Sequence, residues 1–243
     1  MPYSIAIDVG NTNTKWGLFK DGELLQVVRL RNDSLSQNNL IFYDYQPKEI
    51  IVSSVNVEAE SNLNLEKYAA KLHKLSYQSK LSFKMDYQSL ETLGKDRIAV
   101  VAAAHFCFPQ TNCLIIDAGT CITYDFLTNE GRYLGGAISP GVQLRLNAMN
   151  NYTNKLPLIQ WTNNKPESIG NTTISSMLSG VVNGIIGEMN GFIMDFKKQY
   201  SELKIVLTGG DAKFFEKELK NGIFADPNLV LKGLHEILKY NRD

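Results

Sequence analysis

The chain has 243 residues, and 25 Lys plus Arg balance 25 Asp plus Glu, so its formal net charge is zero. That length allows one large domain or two small ones, and a hydrophobic fraction of 44% is enough for a core. Charge balance removes the global electrostatic case for nucleic-acid or anionic-membrane binding. The three cysteines (Cys107, Cys113, Cys121) and three histidines are too few and too oddly spaced for a disulfide framework or a zinc site. The N-terminal Met-Pro-Tyr-Ser-Ile-Ala-Ile-Asp lacks the basic and apolar regions of a secretory signal, and no apolar run reaches membrane-spanning length. A cytoplasmic protein with reduced thiols is expected.

In chain order, Ile5 to Val9 reads as a first strand. Lys15 to Phe19 and Leu24 to Leu30 follow, separated by Asp21-Gly22, a strong two-residue hairpin signal. Ile50 to Ser54 reads as a strand, Glu58 to Leu72 as a helix and Arg97 to Phe106 as a second helix. The opening pattern then returns. Leu114-Ile115-Ile116-Asp117-Ala118-Gly119-Thr120 echoes Ile5-Ala6-Ile7-Asp8-Val9-Gly10-Asn11-Thr12, and the two aspartates lie 117 − 8 = 109 positions apart. Strands at Cys121 to Leu127 and Tyr133 to Ile138 flank a Gly-containing turn, so each half opens with a three-stranded meander. A helix begins near Val142, a long one covers Thr172 to Tyr200, and Lys204 to Thr208 is a buried strand. Short helices at Ala212 to Leu219 and Lys232 to Tyr240 close the chain. The long helix buries Leu178, Val181, Ile185, Met189, Phe192 and Phe196 at helical spacing. Gly180, Gly184, Gly187 and Gly191 form a second stripe. At about 1 kcal/mol each in a helix interior, they suggest a close backbone neighbour, either within the chain or across a subunit interface.

The turn Asp8-Val9-Gly10-Asn11-Thr12-Asn13-Thr14-Lys15 has the composition of an anion nest. Gly10 is able to take backbone angles other residues avoid, successive N–H groups point at a ligand, and Lys15 adds charge. A carboxylate there is able to hold Mg²⁺ against nucleotide phosphates. Alone, the segment also reads as a plain hairpin with a capping Asp. Its second copy at Asp117 to Thr120 suggests two turns, one per half, gripping a triphosphate. Neither a Walker A pattern nor a strand followed by G-x-G-x-x-G is present. Between the copies, Tyr87 and Gly94-Lys95-Asp96-Arg97 precede the apolar helix. Asp96 has a plain role as its N-cap, and Arg97 one as a surface charge.

Together these segments resemble the type III pantothenate kinases, within the acetate kinase, sugar kinase, Hsp70 and actin superfamily. Asp8-Val9-Gly10-Asn11-Thr12 is similar to that family's DxGNT motif, and Gly94-Lys95-Asp96-Arg97 to its GxDR motif. Asp117-Ala118-Gly119-Thr120, Gly135-Gly136-Ala137-Ile138-Ser139-Pro140-Gly141 and Thr208-Gly209-Gly210 match three further motifs in order. The chain departs from the family at Ser89-Leu90, where Asn-Pro is common, and at Val55-Asn56, where Val-Pro is common.

The resemblance implies an α/β fold of duplicated ribonuclease H-like (actin-like ATPase) domains, an N-terminal lobe at 1–112 and a C-terminal lobe at 113–243. Each lobe would open with a meander in a mixed sheet flanked by helices. It also implies transfer of a phosphoryl group from ATP to pantothenate, the first step of coenzyme A biosynthesis, with Asp96 as general base. Asp8, Val9, Gly10, Asn11, Thr12, Asn13, Thr14, Lys15 and Thr120 would hold ATP, with Asp8 near Mg²⁺. Asp117 would bind a monovalent cation, K⁺ or NH₄⁺. Tyr87, Gly94, Lys95, Asp96, Arg97 and Thr173 would bind pantothenate, with Arg97 suited to its carboxylate or to phosphate. A homodimer with a shared active site is implied, and neither nucleic acid nor membrane is an expected partner. The glycine-rich loop at 135–141 and Cys121 are read as structural. The alternatives are a related kinase for another acceptor, such as a sugar, or a non-enzymatic accessory factor in transcription.

Overall fold

The computed structural model describes residues 3–37, 44–63, 65, 71–219 and 222–242. Two compact units divide the chain: one comprises Met1–Pro109, Gly131–Tyr133 and Asn228–Asp243, the other Gln110–Glu130 and Leu134–Pro227.

In the first unit, β1 (Tyr3–Val9), β2 (Asn13–Lys20) and β3 (Glu23–Arg31) form the antiparallel meander. Asp21 and Gly22 both have positive φ (55° and 91°), the backbone a tight two-residue hairpin demands. Strands β4 (Glu49–Ser54) and β5 (Lys71–Lys74) add in parallel beside β1, giving the order β3-β2-β1-β4-β5. Ile5, Ile7, Val9, Trp16, Leu18, Ile50 and Val52 build a core on one face of this sheet. β1 also buries Ala6, so the central strand is covered on both faces.

The expected helix from Glu58 to Leu72 is shorter. Helix α1 (Val57–Ser61) ends at the Asn62 cap, and Leu72 lies in β5, paired with Ile50. Residues 64 and 66–70 lie outside the described residues. Pairing with β4 overrides helical spacing at Leu72. A two-residue strand, β6 (Lys84–Met85), pairs with Arg132 and Tyr133.

Helix α2 (Lys95–Cys107) buries Ile98 to Ala104 without a break. The second unit repeats the first in topology. β7 (Asn112–Ala118), β8 (Cys121–Leu127) and β9 (Arg132–Pro140) form its meander. β10 (Leu203–Thr208) and β11 (Ile223–Ala225) extend it in parallel, in the order β9-β8-β7-β10-β11. Helix α3 (Val142–Asn151) leads to α4 (Thr173–Gln199), and α5 (Ala212–Glu218) follows β10. On α4, Val181, Val182, Ile185, Met189 and Ile193 enter the core, with Leu178, Phe192 and Phe196 partly buried beside them. The α4 glycines do not serve close packing among the described residues: a Cβ at Gly180, Gly184, Gly187 or Gly191 would meet nothing within 4 Å.

Helix α6 (Leu229–Tyr240) belongs to the first unit and packs on α2, β1, β2 and β4. The crossing is tight enough that a Cβ on Gly233 would stand 1.8 Å from the Ala99 carbonyl oxygen. Two residues on, His235 stacks on Phe19 with ring centroids 4.1 Å apart and shares a 3.3 Å hydrogen bond with Ser4 Oγ. Its Nε2 is buried and has no hydrogen-bond partner among the described residues. Burial, aided by the charges of Lys239 and Arg242, lowers its pKa to about 4.

An unfolded chain takes up a proton at this histidine near pH 6.5, and the folded chain does not until about pH 4. The acid arm of the stability curve between those values is therefore expected to be shallower in His235→Phe. Thermal or urea unfolding at pH 7.5 and pH 5 is expected to show a loss for the unaltered chain larger by about 2 kcal/mol than for the variant.

Candidate active site

The first turn, residues 10–12, connects β1 to β2. Gly10 N–H donates to Asn13 O at 3.0 Å, and a Cβ at Gly10 would stand 3.0 Å from that same oxygen. Gly10 is not among the positive-φ glycines, so a close approach, rather than unusual backbone angles, is what calls for it. Asp8 ends the central strand, beside Lys15 on β2 and Ser53 on β4. Burial raises its pKa to about 6, the charge of Asp96 adds to the rise, and Lys15 opposes it. The two proposed acidic groups are thus electrostatically coupled within one unit.

Asp96 is not the N-cap of α2; Gly94 is. The Asp96 carboxylate folds back, and its Oδ1 accepts the Arg97 N–H at 2.8 Å. A Cβ on Gly94 would lie 2.5 Å from that oxygen, so residue 94 must be bare for the carboxylate to sit there. Arg97 is no surface charge. It is 4% exposed, with its guanidinium 5.6 Å from the Tyr87 ring centroid. Tyr87 in turn stacks on buried Tyr133 at 6.0 Å. Tyr87, Gly94, Lys95, Asp96 and Arg97 thus gather around the N-terminus of α2, and the charge of Asp96 is felt at Asp8.

In the second unit, Asp117 ends β7 between Thr123 on β8 and Thr208 on β10. Two glycine loops close on the turn that follows. Gly141 N–H donates to Thr120 O at 3.0 Å, and a Cβ on Gly141 would meet Gly119 O at 2.3 Å. Gly209, at φ +102°, leaves a Cβ position 2.3 Å from Ala118 O and 2.5 Å from Asp117 Oδ1. Residues 135–140, expected as a loop, form the end of β9, and Gly141 at its exit together with Gly209 after β10 shape the surroundings of Asp117.

Thr173 opens α4 and lines a cavity of about 700 Å³ with Met149, Leu156, Gly170, Asn171, Thr172, Ser176 and Met177. Thr172 spends its hydroxyl on a capping box with Ser175, at 3.1 Å to the Ser175 N–H. That leaves Thr173 as the threonine suited to a ligand.

Two groups of residues escaped sequence reasoning. Asn32, the residue after β3 and the first of a short 3-10 turn (Asn32–Gln37), binds the first turn. In the second unit, Glu188 on α4 accepts from Tyr124 Oη (2.8 Å), Ser139 Oγ (3.1 Å) and Arg145 Nη2 (2.6 Å). Although burial pushes the Glu188 carboxyl up, those three donors outweigh it and hold its pKa below the usual range. Only the register of β3 and the face of α4 carry a signal for these residues.

A family model described as type III pantothenate kinase matches residues 4–195. The chain is 40% identical over 243 residues to a type III pantothenate kinase of Flavobacterium johnsoniae, covering 98% of each protein. A crystal structure of a conserved putative Baf family transcriptional activator from Campylobacter jejuni superposes with a TM-score of 0.63 at 22% identity, covering 98% of each chain. The polyphosphate/ATP-glucomannokinase of Arthrobacter sp. strain KM gives a TM-score of 0.52 at 13% identity, over 99% of this chain and 100% of that one. These two structures show the fold alone, that of duplicated ribonuclease H-like, actin-like ATPase domains.

A carboxyl whose folded pKa is raised costs stability as pH climbs from 3.8 to about 6, and the full cost persists above. Without nucleotide and metal, Asp8→Asn is therefore expected to be about 1–2 kcal/mol more stable than the unaltered chain at pH 7.5. The difference should vanish near pH 4 in thermal unfolding, and the same variant should lose kinase activity.

Proposed function

The chain belongs to the type III pantothenate kinase family and phosphorylates pantothenate with ATP in coenzyme A synthesis, and we propose that the residues around Asp8 and the α2 N-terminus carry out the transfer. One observation carries this reading. The α2 N-terminus sets a carboxylate (Asp96) beside a buried guanidinium (Arg97), and the charge of that carboxylate reaches Asp8.

In this reading, Arg97 pairs with the pantothenate carboxylate in fork geometry, and Tyr87 flanks it. Asp96 takes the proton of the primary hydroxyl as its oxygen attacks the γ-phosphorus, the bond from that phosphorus to the β–γ bridging oxygen breaks, and ADP leaves. Gly94 and Lys95 frame that pocket, and Thr173 adds a hydroxyl contact. The turn from Asp8 through Val9, Gly10, Asn11, Thr12, Asn13 and Thr14 to Lys15 holds the phosphates of ATP, with Thr120 contributing to the nucleotide site. Phosphoryl transfer depends chiefly on positioning and charge neutralisation, which suits a site of backbone donors and few cations.

Asp8 fits Mg²⁺: it is a half-buried carboxylate whose pKa is raised by burial first and by the charge of Asp96 second, and Mg²⁺ needs only one or two such ligands beside water and phosphate. When bound, the ion neutralises charge on the transferring phosphoryl group. Asp117 offers the hard oxygen that a K⁺ or NH₄⁺ ion accepts. A homodimer is part of the same proposal. The glycine stripe of α4 is exposed and meets nothing within its own chain among the described residues, so a second copy is free to approach it. Among the described residues, no helix is long and apolar enough to cross a membrane.

With ATP, Mg²⁺ and K⁺, pantothenate is expected to be phosphorylated and a panel of sugars not. Asp96→Asn should lower kcat by at least about 100-fold with little change in KM for ATP. Turnover of sugars alone would sink the substrate assignment, and undiminished turnover by Asp96→Asn would sink the mechanism. Replacing K⁺ with Na⁺ tests Asp117, whose proposed role demands a clear loss of activity. In light scattering, the unaltered chain should run as a dimer and Gly184→Leu largely as a monomer.

A further inference from the structure

A turn that offers N–H groups to an anion must dispose of its carbonyls. In a trans peptide, the C=O of one residue and the N–H of the next lie in one plane and point in opposite directions. Whatever holds the carbonyl therefore aims the N–H. Around the first turn, one residue does this. Asn32 Nδ2 donates to Gly10 O at 2.8 Å and to Asn11 O at 3.1 Å. Its own backbone N–H donates to Thr12 O at 3.0 Å. The amide cannot flip, because the Gly10 and Asn11 carbonyls only accept and so demand its NH₂ end, while Thr14 Oγ1 donates to the Oδ1 end at 2.9 Å.

We infer that Asn32 is a positioning residue for nucleotide phosphates: by fixing the Gly10 and Asn11 carbonyls on its own side, it turns the Asn11 and Thr12 N–H groups to the opposite side, as a preformed anion nest. The inference rests on the reading of residues 8–15 as the phosphate turn. Asn11 and Thr12 are exposed, and Gly10 N–H, already committed to Asn13 O, is not part of the nest. Preorganised donors serve a developing or bound anion best, because they need not reorient when it arrives. Asn suits the position. Asp has no donor for the two carbonyls, and a shorter side chain loses the link to Thr14.

The test compares the unaltered chain with Asn32→Ala and Thr14→Val. Two readouts are taken: steady-state kinetics, and calorimetric binding of inorganic tripolyphosphate with Mg²⁺. Asn32→Ala should raise KM for ATP about tenfold and weaken tripolyphosphate binding by a similar factor, with KM for pantothenate within twofold. Thr14→Val, at a fully buried side chain, keeps the amide but removes the hydroxyl that holds its Oδ1 end, and should move both values the same way by about threefold. Unchanged values in both variants would overturn the inference. So would a parallel rise of both KM values together with a lowered Tm, the mark of a merely structural role. If Asn32→Ala does not fold, Thr14→Val decides. Failure of the unaltered chain to phosphorylate pantothenate would defeat the substrate assignment alone, because tripolyphosphate binding is read independently of it.

Discussion

Backbone carbonyls at the two Asp-containing turns set the terms for much of this fold. A buried or ligand-facing peptide group must find a partner for each end. Both turns find those partners outside themselves. In the first unit, Asn32 supplies three donors to Gly10 O, Asn11 O and Thr12 O. In the second, Asp211 N–H takes Ala118 O at 3.0 Å and Gly141 N–H takes Thr120 O at 3.0 Å. The same problem has two solutions: a side-chain amide just after β3, and main-chain groups from loops after β9 and β10. The glycines follow from the second solution. Main chain reaches main chain only where no Cβ intervenes, and Gly141 and Gly209 are where one would clash.

The duplication was readable because a strand, a turn and an Asp leave a local signature, and the strand order β3-β2-β1-β4-β5 recurs as β9-β8-β7-β10-β11. The role of Asn32 was not. Counting register from the Asp21-Gly22 hairpin pairs Lys20 with Glu23 and, carried along, sets Arg31 opposite Thr12. A β-bulge between Leu18 and Phe19 shifts the register by one, so Asn13 pairs with Arg31 and Asn32 reaches Thr12. A single irregularity in the strand thus replaces a cation with a neutral amide, and no local sequence pattern announces it. The helix drawn from Glu58 to Leu72 failed for a related reason: the partner that makes Leu72 a strand residue, Ile50, is 22 positions away. Helix α6 shows the limit in its sharpest form. Its apolar face is plain in the sequence, but nothing local says which sheet it covers, and Gly233 makes sense only once Ala99 is beside it.

The site residues were read through their types, and the structure adds their electrical setting. The chain carries no net charge, and its positive potential is local. Arg97 is buried under Tyr87, and Lys15 lies across the ladder from Asp8. Burial of Asp8 and, second to it, repulsion from Asp96 disfavour its charged form, a cost that a cation at the proposed site would relieve. That is the usual relation between stability and function at a binding site: groups arranged for a ligand are poorly arranged for one another.

The Glu188 carboxylate belongs to the same logic at longer range. It joins β8 through Tyr124, the end of β9 through Ser139 and α3 through Arg145, whose Nε also donates to Pro140 O at 2.8 Å. Both members of the ion pair are largely shielded, with 22% and 25% of their side chains exposed. Removing either one would leave a partly buried charge without its partner, a loss that an exposed pair would not impose. The residue after β9, Gly141, donates its N–H to Thr120 O. A chain of specific contacts therefore runs from Glu188 to the second turn. Glu188 sits on the same helix as the exposed glycine stripe, between Gly187 and Gly191. In the proposed dimer, a second copy packed on that stripe would rest on the helix that anchors the end of β9, so assembly and the geometry of the second turn would share one element.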